Sequence, residues 1–263
     1  MGYVLSIGTH KGGVGKSSTT STLAWLFARQ GKKVLVCDYD PQGNATFILT
    51  QRNIYDFADH TIFEAIKEQN ARPYIQKLTE NLHILTAEDL LALLPRWLYT
   101  EYAKTHHDLL LVLKNILDPI KSEYDWILID LPPQLGDITI TGIAASDFAV
   151  PLLESSVLCY DALDRYLETL EHVQDRVPTL RLLGIVPTMV DSRATLDASV
   201  IERARSDYGD AVFDTVIKRR VRVKEWTVTG IKDDAREDRE ALQMYENLLE
   251  EVVARVRQKE PVG

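Results

Sequence analysis

Short apolar runs alternate with longer amphipathic stretches along this chain. The short runs are rich in Val, Ile and Leu and are apolar on both faces, which is typical of parallel strands buried in a sheet. These predicted strands span residues 3–8, 33–38, 82–86, 126–130, 148–153, 182–188 and 212–217. The longer stretches carry apolar residues at helical spacing. These predicted helices span residues 17–29, 62–68, 105–120, 138–145, 158–175, 196–208 and 236–257.

The alternation of strands and helices predicts the fold class. It indicates an α/β fold with a doubly wound, mostly parallel sheet that has helices on both faces. The chain has no internal repeat and no linker rich in Pro, Gly or Ser, and the polar stretch 51–61 is too short to divide domains. We therefore expect one domain over residues 1–263.

Charge and cysteine content narrow the class of protein. The 263 residues include 39 acidic and 30 basic side chains, so the net charge is −9. This balance excludes a protein that coats nucleic acid with its whole surface, but it permits a local basic patch. Cys37 and Cys159 lie far apart beside apolar residues, which favours buried thiols over a disulfide framework or a CxxC metal site. The start lacks a charged leader, and no apolar run approaches the ~18 residues of a membrane span. We expect a cytoplasmic protein without a membrane partner.

A phosphate-binding motif follows the first predicted strand. The sequence from Gly8 to Ser18 reads GTHKGGVGKSS, which matches G-x-x-x-x-G-K-[ST] between a strand and a helix. Glycines let backbone N–H groups surround phosphate oxygens, and the start of the helix adds its positive end. In this motif Lys16 reaches the β- and γ-phosphates, and the Ser17 hydroxyl binds Mg²⁺. The motif therefore predicts ATP and Mg²⁺ as cofactors.

Lys11 places a second lysine inside this loop. The sequence KGGVGKS resembles the deviant Walker A family, K-G-G-x-G-K-[ST], which includes ParA, Soj, MinD and the nitrogenase iron protein. The resemblance implies that Lys11 reaches across an ATP-dependent homodimer to the partner's phosphates, where it would be catalytic together with Lys16. The nucleotide-binding residues expected in the loop are Lys11, Gly12, Gly13, Val14, Gly15, Lys16, Ser17 and Ser18.

Two carboxylates end the second predicted strand. Asp38 and Asp40 are separated by one residue and face the same way on an extended chain. The run Asp-Tyr-Asp-Pro-Gln-Gly-Asn resembles the ParA/Soj version of this segment more than the MinD version. The resemblance implies that Asp40 orients or activates the attacking water and that Asp38 supports the magnesium shell.

An aspartate also ends the fourth predicted strand. The apolar run Trp-Ile-Leu-Ile leads to Asp130, which is the Walker B arrangement for a carboxylate that meets Mg²⁺. The following Leu-Pro-Pro resembles the Asp-x-Pro-Pro element of the same family. The predicted metal residues are therefore Ser17, Asp38 and Asp130.

Two later segments resemble the family's base-binding region. Residues 183–193 are similar to the Soj strand and loop beside the base, which implies contacts from Thr188 and Met189. Residues 215–222 lie where the family commonly has Ile-Pro-Arg, which implies contacts from Ile217 and Lys218. Lys218 replaces the family's proline, which is a departure from the pattern.

The densest basic run in this acidic chain overlaps the second segment. In a ParA-like chain it is the natural site for binding double-stranded DNA without sequence preference, together with a nearby arginine. The predicted DNA-binding residues are Arg193, Lys218, Arg219, Arg220, Arg222 and Lys224. The predicted C-terminal helix has an apolar stripe with core spacing and glutamates opposite it, which favours packing in the core over a membrane surface.

The resemblance therefore implies an ATPase of plasmid or chromosome partition. Mg–ATP would lock two subunits together on nucleoid DNA, and hydrolysis, stimulated by a ParB-like centromere-binding protein, would release them. Three alternatives stay open. One is a MinD-like or flagellar-type positioning ATPase on a membrane, and another is a metabolic ligase related to dethiobiotin synthetase. The third, a ParA-like positioner of protein cargo, shares every motif.

Overall fold

A computed structural model describes residues 2–154, 158–191 and 195–259. Its strands are β1 (Tyr3–Gly8), β2 (Val34–Asp38), β3 (Ile75–Lys77), β4 (Leu82–Leu85), β5 (Trp126–Asp130), β6 (Phe148–Glu154), β7 (Arg181–Leu182), β8 (Val186–Val190) and β9 (Ile217–Lys218). Its α-helices are α1 (Lys16–Arg29), α2 (Asn44–Thr50), α3 (Ile62–Lys67), α4 (Leu94–Thr100), α5 (Val112–Leu117), α6 (Asp137–Ala144), α7 (Leu158–Gln174), α8 (Thr195–Tyr208), α9 (Val221–Thr229) and α10 (Arg236–Lys259).

The strands form one sheet in the order β3-β4-β2-β5-β1-β6-β8-β9, and β7 pairs with β6. Each described pair is parallel except β3 with β4 at the edge. Helices α3 to α7 cover one face through a large apolar cluster, and α1, α9 and α10 contribute to the cluster on the other face. The predicted doubly wound, mostly parallel sheet is confirmed.

The register of the central strands brings their carboxyl ends together. Asp130 at the end of β5 pairs with Ile7 of β1 on one side and with Asp38 of β2 on the other. The segment after β1 therefore begins beside two buried carboxylates. In an open α/β sheet, ligands bind in the crevice outside these strand ends.

Two predicted strands near the far edge are wrong in detail. The predicted strand 182–188 is interrupted, because Ile185 exchanges backbone hydrogen bonds with Ala211 and Phe213 between β7 and β8. The predicted strand 212–217 is reduced to a bridge at Val212 and to β9. The backbone N–H groups of Asp214 and Thr215 donate instead to the Glu251 carboxylate, each at 2.9 Å, which takes them out of the sheet ladder.

The sequence pattern did not predict several short elements. Helices α2, α4 and α9 and the edge strand β3 have three to nine residues, too few for a clear periodic signal. The predicted helix 105–120 is also shorter than expected, since α5 covers only Val112–Leu117 and 3₁₀ turns flank it. Helix α9 matters most for the site, because it contains the second half of the basic run.

The C-terminal helix confirms the predicted core stripe. Residues Leu242, Tyr245, Leu248, Leu249, Val252 and Val256 of α10 are buried in the same cluster as the inner face of α1. Among the described residues, no helix is both long enough and apolar enough to cross a membrane.

Candidate nucleotide-binding site

The loop between β1 and α1 has the backbone of an anion cradle. Gly13 and Gly15 adopt φ angles of 78° and 85°, the left-handed region that a side chain disfavours. Gly15 also precedes the first residue of α1, and no side chain caps that helix end. The first N–H groups of the helix therefore remain available to a phosphate, and the helix dipole favours the negative charge there.

Lys16 lies deep in this loop, with 6% of its surface exposed. Its Nζ donates to the backbone oxygen of Lys11 at 3.2 Å, which folds the loop around the ammonium. Burial lowers the pKa of Lys16, and the nearby carboxylates of Asp130 and Asp40 oppose that shift. A buried ammonium beside a glycine loop is arranged for an anion with several oxygens.

Asp130 offers an oxygen that fits a cation. The carboxylate is fully buried, and its Oδ1 accepts a hydrogen bond of 3.2 Å from the Thr20 hydroxyl. Within the described residues, its Oδ2 has no hydrogen-bond partner. Burial raises the pKa of Asp130, while the neighbouring Ser17 hydroxyl and the Lys16 ammonium lower it. Mg²⁺ is commonly held by one or two carboxylates together with phosphate oxygens and water, and this donor set fits that pattern.

Asp38 lies beside Asp130 but is engaged elsewhere. Its Oδ2 accepts from both the backbone N–H and the hydroxyl of Thr46, at 2.6 and 2.7 Å. Burial and the proximity of Asp130 raise the pKa of Asp38 well above its usual range. Asp38 thus fixes the first turn of α2, which follows the Asp40 segment. A role for the Asp38 carboxylate in the magnesium shell stays a prediction.

Asp40 faces the phosphate loop across a cavity of about 380 Å³. Its side chain is 4% exposed, and its Oδ1 accepts a hydrogen bond of 3.0 Å from the backbone of Gln42. The lining of the cavity includes Lys16 and Ser17 from the start of α1, and Asp40, Gln42 and Asn44 from the segment after β2. The structure therefore brings Asp40 into the same cavity as the Lys16 ammonium and the Ser17 hydroxyl.

A second cavity of about 400 Å³ adjoins the loop. Its lining includes the four residues predicted to contact the base, Thr188, Met189, Ile217 and Lys218, together with Gly13, Gly15 and Ser18. The Thr188 hydroxyl donates to the backbone oxygen of Val14 at 3.2 Å, which joins β8 to the loop. Met189 has a φ of 57°, an unusual conformation for a non-glycine residue that often marks a functional site.

The sequence did not reveal every residue of this region. Thr20 and Thr46 arrange the predicted site residues but match no motif. Glu154 begins a segment that departs from the family's Glu-x-x-Ala-Leu stretch, so no role was predicted for it. Thr227 and Tyr245 line the base cavity from α9 and α10. The position of Thr20, one helical turn after Lys16, was the one available signal. The others become neighbours only through tertiary packing.

Lys11 is paired within its own chain. Its Nζ lies 2.5 Å from Oε2 of Glu154, which ends β6. The same carboxylate lies 3.6 Å from the guanidinium of Arg219 through Oε1. The extra lysine of the loop thus meets a carboxylate that also contacts the basic run.

The basic run lies on the rim of the base cavity. Lys218, Arg219, Arg220 and Lys224 are exposed and line that cavity. Arg222 differs, because it lies within 3.0–3.9 Å of carboxylate oxygens of Glu225, Glu237 and Asp238. Arg193 lies outside the described residues.

Trp226 packs inside the molecule next to this run. It is 2% exposed, and its indole N–H donates to Asp238 at 2.9 Å. Arg222 contacts the same carboxylate. Trp226, Asp238 and Arg222 therefore form a structural unit that joins α9 to α10.

Comparison with known proteins agrees with this geometry. A family model described as an AAA domain matches residues 2–182. The sporulation initiation inhibitor protein Soj of Bacillus subtilis is 35% identical over 234 residues, which cover 86% of this chain and 87% of the relative. The chromosome-partitioning ATPase Soj of Treponema pallidum is 33% identical over 264 residues, which cover 98% and 100%.

A solved structure shares the fold at lower identity. Cobyrinic acid a,c-diamide synthase from Mycobacterium smegmatis, with a bound ATP analogue and magnesium, superposes with a TM-score of 0.82 at 24% identity and covers 99% of this chain and 98% of that one. The family model and the curated relatives cover most of the sequence at identities that reflect common descent. The chain belongs to the family of the ParA and Soj chromosome-partitioning ATPases.

Proposed function

We propose that this protein binds and hydrolyses Mg–ATP to drive DNA partition. The observation that carries the proposal is the glycine loop that surrounds the buried Lys16, beside an Asp130 Oδ2 that has no hydrogen-bond partner among the described residues. Membership of the ParA and Soj family supports partition as the process that this ATPase serves.

The nucleotide would occupy both cavities beside the loop. The phosphates would bind the backbone N–H groups of residues 12–18 and the Lys16 ammonium, and the base would enter the cavity lined by Thr188, Met189, Ile217 and Lys218. Lys218 stands where the family has proline, so its long side chain can cover the base instead of a rigid ring.

The metal and the attacking water would lie on the Asp40 side of the loop. Ser17 and Asp130 would hold Mg²⁺, with Asp38 behind them, and the ion would neutralise charge on the phosphate oxygens. Asp40 would accept a hydrogen bond from the attacking water and orient it. Its place in the lining of the cavity that also contains Lys16 and Ser17 supports that role.

Lys11, the second lysine of the loop, would make dimer formation depend on the bound nucleotide. Lys11 would leave its own chain and contact the phosphates in a second subunit, so that ATP joins two copies as a homodimer. Loss of the γ-phosphate would remove that contact and separate the copies.

The exposed part of the basic run would bind double-stranded DNA without sequence preference. Lys218, Arg219, Arg220 and Lys224 present their charges to solvent at one edge of the molecule. The net charge of −9 opposes DNA at long range, so one patch binds weakly and two patches in a dimer bind much better. Arg222 and Arg193 stay predicted contacts. A ParB-like partner would stimulate hydrolysis, and the protein would reside on the nucleoid in the cytoplasm.

A metabolic ligase is the second candidate. The fold is shared with cobyrinic acid a,c-diamide synthase at a TM-score of 0.82, so the same scaffold occurs in a synthase. Hydrolysis assays distinguish the two functions, because a ligase consumes ATP in response to a small carboxylic acid, whereas a partition ATPase responds to DNA and its partner.

The direct test combines ATP hydrolysis with DNA retardation. Purified protein should retard DNA fragments of unrelated sequence with Mg–ATP but not with ADP, and hydrolysis should be slow without a partner. Retardation that is independent of nucleotide, or none at low salt, would contradict the proposal.

A further inference from the structure

Glu154 joins two functional segments through one carboxylate. Oε2 lies 2.5 Å from the Lys11 ammonium in the phosphate loop, and Oε1 lies 3.6 Å from the Arg219 guanidinium after β9. The Glu154 side chain is 17% exposed, compared with 37% for Lys11 and 64% for Arg219. The carboxylate is therefore the least solvated member of this triad, which we call the Lys11–Glu154–Arg219 triad.

We infer that Glu154 is a positioning residue that holds Lys11 within its own chain and sets how readily ATP joins two subunits. The inference rests on the proposed role of Lys11 at the partner's phosphates. The ammonium lies against its own Glu154, so this ion pair has to open before Lys11 reaches another subunit. Glu154 and the partner's phosphates thus compete for one cation.

Arg219 keeps a cation beside Glu154 when Lys11 departs. Loss of a neighbouring cation is unfavourable for a largely buried carboxylate. Arg219 already lies close to the second oxygen of Glu154 and is mostly exposed, so it is free to move closer when Lys11 departs. The Glu154 carboxylate therefore has a cation beside it both when Lys11 is bound to it and when Lys11 contacts the other subunit. Lys11 is the member of the triad that moves between the two.

Substitutions at the other two members of the Lys11–Glu154–Arg219 triad should act in opposite directions. Glu154→Gln removes the competing charge but keeps the size of the side chain, so the ATP-bound dimer should dissociate about tenfold less readily, because two such pairs open per dimer. Arg219→Ala removes the compensating cation, so Glu154 holds Lys11 more firmly and the dimer should weaken. A purely structural Glu154 predicts weakening in both variants.

The test measures dimer dissociation constants with Mg–ATP in an Asp40→Ala background by sedimentation. The variants are Glu154→Gln, Arg219→Ala, and Glu154→Gln combined with Lys11→Ala. Glu240→Gln, which breaks a surface ion pair with Arg236 on α10, is the matched control and should leave the constant unchanged. The inference is overturned if Glu154→Gln leaves the dimer unchanged or weakens it, or if its gain persists without Lys11.

A second readout does not depend on dimers. Acylation of lysines in the nucleotide-free chain, followed by peptide mass spectrometry, reports how firmly the Lys11 ammonium is held. Glu154→Gln should increase the labelling rate of Lys11 severalfold and leave that of the exposed Lys32 unchanged, and an equal Lys11 rate in both proteins overturns the inference. If Asp40→Ala forms no dimer with ATP, the proposed function fails, and this labelling rate alone then decides whether Glu154 holds Lys11.

Discussion

Lys16, Asp40 and Asp130 form the charged centre of the site. Each is nearly or fully buried, and burial alone would disfavour all three charges. The ammonium near the carboxylates reduces that penalty, and the Asp130 oxygen that has no hydrogen-bond partner in the described part of the chain can accept a further cation. Each side chain therefore has a separable role, which single substitutions distinguish.

Lys16→Ala should strongly weaken nucleotide binding. It removes the buried cation of the loop, so ATP affinity should fall by about 100-fold, since a hydrogen bond to a charged group contributes up to about 3 kcal/mol. Titration with a fluorescent ATP analogue measures the loss. Lys32→Ala, at an exposed position, is the control and should bind normally.

Asp40→Ala should separate binding from hydrolysis. It removes the water-orienting carboxylate but leaves the phosphate loop intact, so ATP affinity should change little while turnover falls about 100-fold or more. Parallel binding and phosphate-release assays test this. A loss of affinity as large as that of Lys16→Ala would show that Asp40 belongs to the phosphate cradle instead.

At the scale of elements, α2 is the link between the strand ends and the Asp40 segment. Thr46 donates from its N–H and its hydroxyl to Asp38 and accepts from the backbone of Ala87 at 3.0 Å. All three groups are buried. The first turn of α2 is thus tied to β2 and to the segment after β4, which holds the intervening Asp40 loop in place.

Thr46→Val should loosen this link. It keeps the shape of the side chain but leaves the Ala87 N–H without its partner, which should cost about 1–3 kcal/mol in the free energy of unfolding. Urea denaturation measures the change. Thr100→Val on the exposed face of α4 is the matched control, with an expected effect within about 0.5 kcal/mol. Equal effects in both variants would contradict the anchoring role.

The elements also show where sequence reasoning succeeds. Strands β1 and β5 are continuous apolar runs that end in Gly8 and Asp130, so their positions and their functional ends were predictable. The predicted strand 212–217 failed because Glu251, on a helix far along the chain, captures two of its N–H groups. Local pattern carries no signal for such a contact. For the same reason the sequence did not predict the contacts of Glu154. Its partners Lys11 and Arg219 each lie more than sixty residues away along the chain, one before it and one after it.

At the scale of the whole molecule, the acidic surface and the basic run define how DNA would approach. Arg222 is balanced by three carboxylates, whereas Arg220 and Lys224 are exposed. Attachment through exposed cations should weaken steeply with salt, by about 0.9 log units per phosphate contact for each tenfold increase.

The exposed and the paired cations should therefore behave differently. Arg220→Ala combined with Lys224→Ala should reduce the salt slope of ATP-dependent DNA binding, whereas Arg222→Ala should mainly lower the free energy of unfolding, because it removes a cation next to the buried Asp238. Fluorescence anisotropy over a salt series, with urea denaturation alongside, separates the two effects. An unchanged salt slope in the double variant would show that DNA binds at a different surface.

The central claim is that ATP joins two copies of this chain through Lys11. The most direct measurement is the molar mass of the Asp40→Ala protein by light scattering after gel filtration, with Mg–ATP and with Mg–ADP, before and after the further change Lys11→Ala. We expect the mass of two chains with ATP only, and the mass of one chain with either nucleotide once Lys11 is replaced. A single-chain mass for Asp40→Ala with saturating ATP, or an ATP-dependent dimer that persists without Lys11, would contradict it.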